Sequence, residues 1–252
     1  MTGSIFRQNR AGLGGTASNG GAIYCSSDSV LTLTGCVFES NECDHDGGAI
    51  AAVVPAATTM QVTGCTFSGN KAENGGALDV AQTGLIDTGA RVHLQSCTFR
   101  LNSGQEKGGA VCLHTFRTTA LSSIRSCLFE GNDAAVGGAV YTHATVLVEN
   151  CTFAGNKVEA RTLSGGRYGG GYGGGIDNYG ALTVRNCTFA ENRTPPTLSG
   201  GSGSAISGVG PGPTLVLGNN ILKGVAGEGP GIVQNTGSVT SEGFNLCNDS
   251  GS

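Results

Sequence analysis

The chain has 252 residues, of which 45 are glycine and only 13% are charged, and its formal net charge is −4. This weakly acidic balance, without a run of like charge, gives no reason to expect nucleic acid or an anionic membrane surface as a partner. No apolar run reaches about 18 residues, so the sequence predicts no membrane-spanning helix and no membrane insertion by this segment.

One motif accounts for most of the chain: apolar-x-apolar-x-x-Cys-x-Phe-x-x-Asn. It is clearest at residues 146–156, and each copy is followed by Gly-Gly-Ala-aliphatic or a close variant. Successive motif cysteines are separated by 29, 32, 30, 24 and 36 residues. A fixed motif at such a period is typical of a solenoid. The six motif cysteines are Cys36, Cys65, Cys97, Cys127, Cys151 and Cys187.

Within one repeat the apolar positions alternate in two phases. Leu31 and Leu33 share one parity, whereas Cys36 and Phe38 share the other. The polar pair between them predicts a corner at which the strand bends while its apolar side stays inward. The Gly-Gly tetrad is expected to begin a third strand. These features predict an all-β fold, a right-handed parallel β-helix of about seven or eight coils with three short strands each. We expect a single domain over residues 1–252, with irregular last coils at residues 214–252.

Stacking of such coils places equivalent residues above one another at the strand spacing. The sequence therefore predicts internal columns of cysteine and phenylalanine, and an asparagine ladder whose amides bond along the axis and satisfy turn backbone. We expect the motif cysteines to be buried free thiols, because their Cβ vectors run parallel rather than converge. For Cys25, Cys43, Cys112 and Cys247, both pairing and free thiols remain open.

The chain starts within a motif. Phe6 and Asn9 have the spacing of the later copies, and the residues before them contain no apolar signal-peptide region. We therefore expect the sequence to be part of a longer secreted protein.

The pairing of Gly-Gly-Ala-Ile with Cys-Thr-Phe-x-x-Asn resembles the repeat of chlamydial polymorphic outer membrane proteins and related bacterial surface β-helix proteins. Residues 20–23, 47–50, 75–78, 108–111 and 137–140 carry the tetrad, whereas residues 173–176 and 203–206 depart from it. The resemblance implies the pectate-lyase-like β-helix fold and a location outside a bacterial cell. It does not choose between adhesion, carbohydrate binding and polysaccharide cleavage, since all of these occur on this fold.

The strand after each tetrad carries the candidate site residues. If its aliphatic residue faces the core, the next residue and the one two beyond it face outward. His114 and His143 are then expected to be direct neighbours. The polar and aromatic residues that this parity places on one sheet face are Asp79, Cys112, His114, Tyr141, His143, Asp177 and Tyr179.

For catalysis the candidates are Asp79, His114, His143 and Asp177. A histidine can act as a general base, or the two histidines can share a metal with one carboxylate. However, Asp79 and Asp177 lie three coils apart, about 14 Å by the strand spacing, which exceeds the carboxyl separation in glycosidases. The resemblance implies a basic residue and an acidic Ca²⁺ cluster in lyases of this fold, and this face has no lysine or arginine.

For ligand binding without catalysis the candidates are Asp79, Tyr141, His143, Asp177 and Tyr179. Aromatic rings beside hydrogen-bonding groups suit sugars. The remaining hypothesis is a solvated sheet face without a ligand.

No cofactor and no resident metal are predicted. Asp44, His45 and Asp46 form an acidic turn that offers ligands for Ca²⁺, but three adjacent residues cannot complete a coordination sphere. The longest insertion, residues 157–172, is rich in glycine and contains Arg161 and Tyr172. Such a loop can flank a groove beside the coil that carries Asp177.

The sequence thus predicts an extracellular or cell-surface bacterial module that acts as a non-catalytic adhesion or carbohydrate-binding scaffold. The expected partner is a polysaccharide or a cell-surface glycan or protein, and the expected state is a monomer. The alternative is a polysaccharide lyase or glycoside hydrolase with its site on the same sheet face. Whether the protein is an enzyme stays open.

Overall fold

The computed structural model describes residues 1–12, 18–26, 29–82, 89–113, 120–162, 168–169, 171–194, 204–208, 213–224, 231–234 and 237–248. The strands of these residues, numbered along the chain, form four parallel sheets and one small antiparallel hairpin. Neighbouring strands in each sheet come from successive coils. This arrangement is the predicted right-handed parallel β-helix.

Sheet I holds the strands that precede the motif cysteines, and sheet II holds the Cys-x-Phe strands. Sheet I contains β4 (Thr32–Thr34), β8 (Thr59–Thr63), β12 (Arg91–Gln95), β16 (Ser122–Arg125), β20 (Val146–Glu149), β26 (Ala181–Arg185), β29 (Thr214–Gly218) and β32 (Ser238–Ser241). Sheet II contains β1 (Ile5–Arg7), β5 (Val37–Glu39), β9 (Thr66–Ser68), β13 (Thr98–Arg100), β17 (Leu128–Glu130), β21 (Thr152–Ala154), β27 (Thr188–Ala190), β30 (Ile221–Lys223) and β33 (Leu246–Asn248).

Sheet III follows the asparagine ladder, and sheet IV follows the Gly-Gly turns. Sheet III contains β2 (Arg10–Ala11), β6 (Glu42–Cys43), β10 (Lys71–Asn74), β14 (Ser103–Lys107), β18 (Asp133–Ala134) and β22 (Lys157–Val158). Sheet IV contains β3 (Ile23–Cys25), β7 (Ile50–Val54), β11 (Leu78–Gln82), β15 (Val111–Leu113), β19 (Val140–Thr142), β25 (Ile176–Asn178), β28 (Ile206–Gly208) and β31 (Ile232–Gln234). The hairpin pairs β23 (Arg161–Thr162) with β24 (Tyr168–Gly169).

The coil therefore has one more strand than the sequence predicted. The short strands of sheet III lie between the ladder and the glycines, and the next strand begins at the aliphatic residue rather than at the Gly-Gly pair. Gly47 shows the reason, because its φ of +69° lies in the left-handed region, which a strand residue does not adopt. The glycines form the turn, and β7 starts after them at Ile50.

The polar pair before each cysteine is a corner, as predicted. Gly35 has φ +61°, and Asn150 and Asn186 both have φ +54° at the equivalent position. Glycine and asparagine tolerate this left-handed conformation better than other residues do. One residue in this conformation reverses the parity of the strand, so the apolar positions before and after the corner both face the interior.

The interior is filled by stacked columns. The phenylalanine rings lie 4.6–4.8 Å apart with planes within 4° of parallel, from Phe6 to Phe189. Leu222 continues this column opposite Phe189. The motif cysteines form a second column in which the backbone N–H of Cys36 donates to Sγ of Cys65 at 3.3 Å, and later rungs repeat this bond. None of the ten cysteines is in a disulfide, and nine of them are buried.

The asparagine ladder satisfies buried polar groups at the corner after sheet II. The backbone N–H and the Nδ2 of Asn102 both donate to Oδ1 of Asn132 at 3.0 Å. Nδ2 of Asn102 also donates to the carbonyl of Phe67 in the preceding coil. The Asn102 amide therefore ties three coils together, and the amides of Asn70, Asn132 and Asn156 do the same, which confirms the predicted structural role of this column. Within the ranges described, no helix is long and apolar enough to cross a membrane.

Candidate functional site

The predicted site residues lie on sheet IV. Its strands pair in register, and Asp79, Cys112, Tyr141, Asp177 and Ser207 form one row along the helix axis. The aliphatic residue before each of them belongs to the core cluster, as Ile176 does before Asp177. The row therefore faces away from the core, and the predicted parity is confirmed. We call this row the sheet IV face.

The sheet IV face is not a solvated surface. Asp79 is 3% exposed, Tyr141 6%, and Cys112 and Asp177 are fully buried, although none of them belongs to the core cluster. At the first coil the same row is open, because Tyr24 is 56% exposed. In the middle coils this row is therefore buried rather than open to solvent.

A second row of residues runs beside this face. These residues pair in parallel just before the Gly-Gly turns, and we call them the lateral row. Lys107 belongs to it, and its Nζ lies 5.8 Å from the centroid of the Tyr141 ring. The lateral row and the sheet IV face thus meet along a polar and aromatic seam. The members of the lateral row are Asn19, Asp46, Asn74, Lys107, Val136 and Tyr172.

The Gly-Gly turns between the two rows are tight. An added Cβ at Gly48 would lie 2.1 Å from the carbonyl oxygen of Gly76 in the next coil and 2.5 Å from that of Lys71. No side chain fits between these backbones. Glycine is therefore required here for close approach of adjacent coils.

Tyr141, His143 and Tyr179 form an aromatic cluster at the edge of the seam. The ring centroids of His143 and Tyr179 are 4.8 Å apart with an interplanar angle of 13°, and Tyr141 lies 5.3 Å from each of them. The Tyr141 hydroxyl and Nε2 of His143 share a hydrogen bond of 2.8 Å. Tyr141 is buried, whereas His143 and Tyr179 are partly exposed. The stacked rings of His143 and Tyr179 are therefore accessible to solvent, and the buried Tyr141 ring packs beneath them.

Asp177 is a buried carboxyl group with a strongly raised pKa. Both of its carboxylate oxygens are buried without a hydrogen-bond partner in the described part of the chain. Burial raises the pKa of Asp177 to about 8, and the nearby Ser207 hydroxyl and Asn178 backbone offset this rise only in part. Burial, together with Asp177 and Tyr172, also raises the pKa of Tyr179. Asp177 therefore carries its proton at neutral pH.

Asp79 and Cys112 form the second buried polar pair of the face. Burial raises the pKa of the Cys112 thiol well above its ordinary value, and the Asp79 carboxylate raises it further. A thiol in this environment is protonated at neutral pH, and only the thiolate is a nucleophile. Cys112 is therefore a structural group rather than a reactive one.

The structure keeps two of the proposed catalytic residues apart. Asp79 and Asp177 are separated by the strands of Cys112 and Tyr141, about 14 Å at the usual strand spacing. His114 lies outside the described residues, so its proximity to His143 stays a prediction. Of the predicted ligand-binding set, Tyr141, His143 and Tyr179 are in contact, whereas Asp79 lies farther along the row.

The acidic turn of the second coil is held by protein contacts. Oδ2 of Asp46 lies 3.0 Å from Nδ1 of His45, and its Oδ1 accepts a hydrogen bond from Nδ2 of Asn74. Asp44 is exposed. Among the residues that the structure describes, no three His, Cys, Asp or Glu side chains are grouped as metal ligands.

Sequence reasoning missed a polar hollow on the outer face of sheet I. The hollow measures about 190 Å³, and Oγ of Ser123 lies 2.8 Å from Nδ1 of His93 inside it. The only sequence signal for it was the set of polar residues that alternate with the apolar ones in β8, β12 and β16. Its lining residues are Gln61, Thr63, His93, Gln95, Ser123 and Arg125.

The family assignment agrees with this geometry. The model of the right-handed beta helix region matches residues 6–166 and 83–246. Comparison with curated proteins and with solved structures gives no match. The two matched ranges together cover most of the chain and include all four sheets. The chain therefore belongs to the right-handed β-helix family.

Proposed function

We propose that this protein is an extracellular, non-catalytic β-helix module that binds a glycan at the aromatic cluster of sheet IV. The observation that carries the proposal is the stacked, partly exposed pair His143 and Tyr179, with Tyr141 fixed beneath it. Aromatic rings with polar edges pack against the C–H face of a sugar while their polar atoms reach its hydroxyl groups.

Preorganisation supports a binding role. The hydrogen bond between Tyr141 and His143 restricts both rings, and the backbone N–H of Tyr179 donates to the carbonyl of Thr142 at 2.8 Å. The rings are therefore largely ordered before a ligand arrives. A site that is already ordered loses less conformational entropy on binding, which increases affinity.

The burial of the carboxyl groups argues against turnover at this face. Asp177 is fully buried and Asp79 nearly so. A general acid or nucleophile must come within hydrogen-bonding distance of the substrate. Their separation of about 14 Å also exceeds the spacing of paired carboxylates in both retaining and inverting glycosidases.

The repeat motif supports the proposed location of the protein and its class of partner. The tetrads and Cys-Thr-Phe-x-x-Asn motifs resemble those of polymorphic outer membrane proteins, which supports a bacterial cell-surface or secreted location for one continuous domain over residues 1–252. The partner is then a polysaccharide or a glycan or protein of another cell surface, bound by a monomer without a cofactor. The net charge of −4 disfavours nucleic acid.

Binding to an array of neutral and acidic glycans, followed by calorimetry with the best ligand, tests this proposal. Tyr179→Ala is expected to weaken binding about tenfold, whereas Tyr179→Phe keeps the ring and most of the affinity. Tyr24→Ala is the matched control, since Tyr24 occupies the same sheet but lies four strands away from Tyr141. Equal affinity of the Tyr179→Ala protein and the unchanged protein would exclude the aromatic cluster as the site.

A polysaccharide lyase or hydrolase is the second candidate, and one observation favours it. Asp177 holds a proton at neutral pH, as a general acid requires, and lies on the strand next to that of Tyr141. The same glycans are therefore assayed for release of unsaturated or reducing ends, with and without Ca²⁺. If product forms with the unchanged protein but not with His143→Ala or Asp177→Asn, the protein is an enzyme and the binding proposal is wrong.

A further inference from the structure

The outer face of sheet I carries a second polar site that is separate from the sheet IV face. Adjacent strands place two rows of side chains in register there. Gln61, His93 and Ser123 form the first row, and Thr63, Gln95 and Arg125 form the second. Together they line the hollow of about 190 Å³ that Arg125 borders at one end.

All six lining side chains can donate a hydrogen bond, and none is a carboxylate or an apolar group. If Nδ1 of His93 accepts from the Ser123 hydroxyl, Nε2 of the neutral ring carries the hydrogen and is a donor as well. Burial lowers the pKa of His93, and Arg125 and then Arg91 lower it further. Two positive charges thus act on His93, on a chain whose net charge is −4.

Charges around the hollow are arranged for an incoming anion. Arg91 lies on the same strand as His93, and Arg125 lies on the next strand, while β8 on the other side offers the uncharged Gln61. Arg125 also contacts Glu149 at 3.3 Å. Glu149 lies on the far side of Arg125, in β20, and does not line the hollow.

We propose that this hollow binds an anionic substituent, a carboxylate or a sulfate, carried by an acidic polysaccharide. The arginine supplies a charge-assisted hydrogen bond to the anion, and the glutamines and hydroxyl side chains bind neighbouring sugar hydroxyl groups. The two rows run along the axis of the helix, so a linear chain can follow them. Nucleic acid is disfavoured, because the hollow and its rim offer two arginines and the whole chain is acidic.

Calorimetry with an oligogalacturonate and with a heparin-derived oligosaccharide tests the proposal, and a neutral galacto-oligosaccharide serves as the reference ligand. We expect one of the acidic ligands to bind and Arg125→Gln to weaken that binding about tenfold. Arg185→Gln is the matched control. Arg185 lies on the same outer face two strands away, but both of its guanidinium contacts are to Glu242 at 2.7 Å.

A second measurement detects binding in the hollow through the pKa of His93. The chain has four histidines, so the ring signals can be assigned by NMR with a His93→Gln variant. Sodium sulfate or the acidic ligand is expected to raise the pKa of His93, because an adjacent anion stabilises the imidazolium. Binding should accordingly strengthen as the pH falls. In the Arg125→Gln protein the ligand should shift this pKa less.

These outcomes are independent of the aromatic cluster. Tyr179→Ala should leave binding of the acidic ligand unchanged, so a failure at one face does not count against the other. Three results would each overturn the inference: no binding of either acidic ligand, equal loss in Arg125→Gln and Arg185→Gln, or an unchanged His93 pKa in the presence of ligand. Equal affinity for the neutral oligosaccharide would also overturn it.

Discussion

Asp177 and Ser207 lie directly opposite each other on adjacent strands, and all three of their side-chain oxygens are buried without a hydrogen-bond partner within the described residues. Desolvation disfavours the charged carboxylate, so the pKa of Asp177 rises to about 8. Ordinary surface aspartates ionise about four pH units lower. The pair is therefore a proton-dependent element of the fold.

We predict that Asp177 makes the protein less stable as the pH rises from about 4 to about 8. The unfolded chain releases this proton near the ordinary pKa of 3.8, whereas the native protein keeps it up to about 8. Between these values the native state binds more protons, so the free energy of unfolding falls with pH. The contribution of this one group is about 1.4 kcal/mol per pH unit.

Urea denaturation of the unchanged protein and of Asp177→Asn, at several pH values across this window, measures the contribution. The asparagine does not titrate, and its NH₂ group can donate to Ser207. The difference in stability between the two proteins should therefore move in favour of the variant as the pH rises. Asp44→Asn controls for loss of a charge at an exposed site. A difference that does not vary with pH would contradict the burial of an uncompensated carboxyl.

Asn132 is expected to be one of the most costly ladder positions to change. Its Oδ1 accepts two hydrogen bonds from Asn102, and its Nδ2 donates to Asn156 and to the carbonyl of Phe99. Asn132→Ala leaves several buried groups unpaired and should lower the free energy of unfolding by about 3 kcal/mol or more. The exposed Asn9 at the first rung is the control, and Asn9→Ala should cost less than about 1 kcal/mol. Equal losses in chemical denaturation would mean that the ladder does not act through burial.

The phenylalanine column should tolerate leucine better than alanine. Leu222 already occupies this column opposite Phe189, so a branched aliphatic side chain fits its geometry. Phe129→Ala leaves a cavity in the middle of the stack and should cost about 4 kcal/mol. Phe129→Leu should cost at most about 1.5 kcal/mol. Thermal unfolding of both variants checks the order, and equal costs would show that ring stacking rather than volume governs the column.

The cysteine thiols should fall into two classes that react at very different rates with a thiol reagent, according to their exposure to solvent. Cys247 is exposed, and the other nine cysteines are buried. Burial also raises the pKa of Cys25 and of Cys43, which reduces the thiolate fraction further. The native protein should therefore release one equivalent of thionitrobenzoate rapidly from a disulfide reagent. Cys247→Ser should abolish this phase, and denaturant should expose the rest. Rapid reaction of several thiols would show that the columns open in solution.

Much of the fold could be read from the motif. The spacing of Leu33, Cys36 and Phe38 fixes which side of each strand faces inward, because alternation and one corner leave no other parity. The asparagine after each Phe motif likewise predicted the ladder. The strands of sheet III were missed, because segments such as Glu42–Cys43 are two residues long and carry no periodic pattern. Such strands exist through pairing with neighbouring coils rather than through local preference.

The sequence by itself determined the solenoid, its columns and the outward parity of Asp79, Tyr141 and Asp177, since these depend on period and on alternation within one coil. Only the tertiary structure decided that this outward face is largely buried, that His143 stacks on Tyr179, and that His93, Ser123 and Arg125 share a hollow on another sheet. The physical reason is that each of these contacts joins different coils or depends on neighbouring turns. The surroundings of these residues depend on which residues of successive coils lie side by side. Insertions of variable length between the motifs prevent this register from being deduced from the linear sequence.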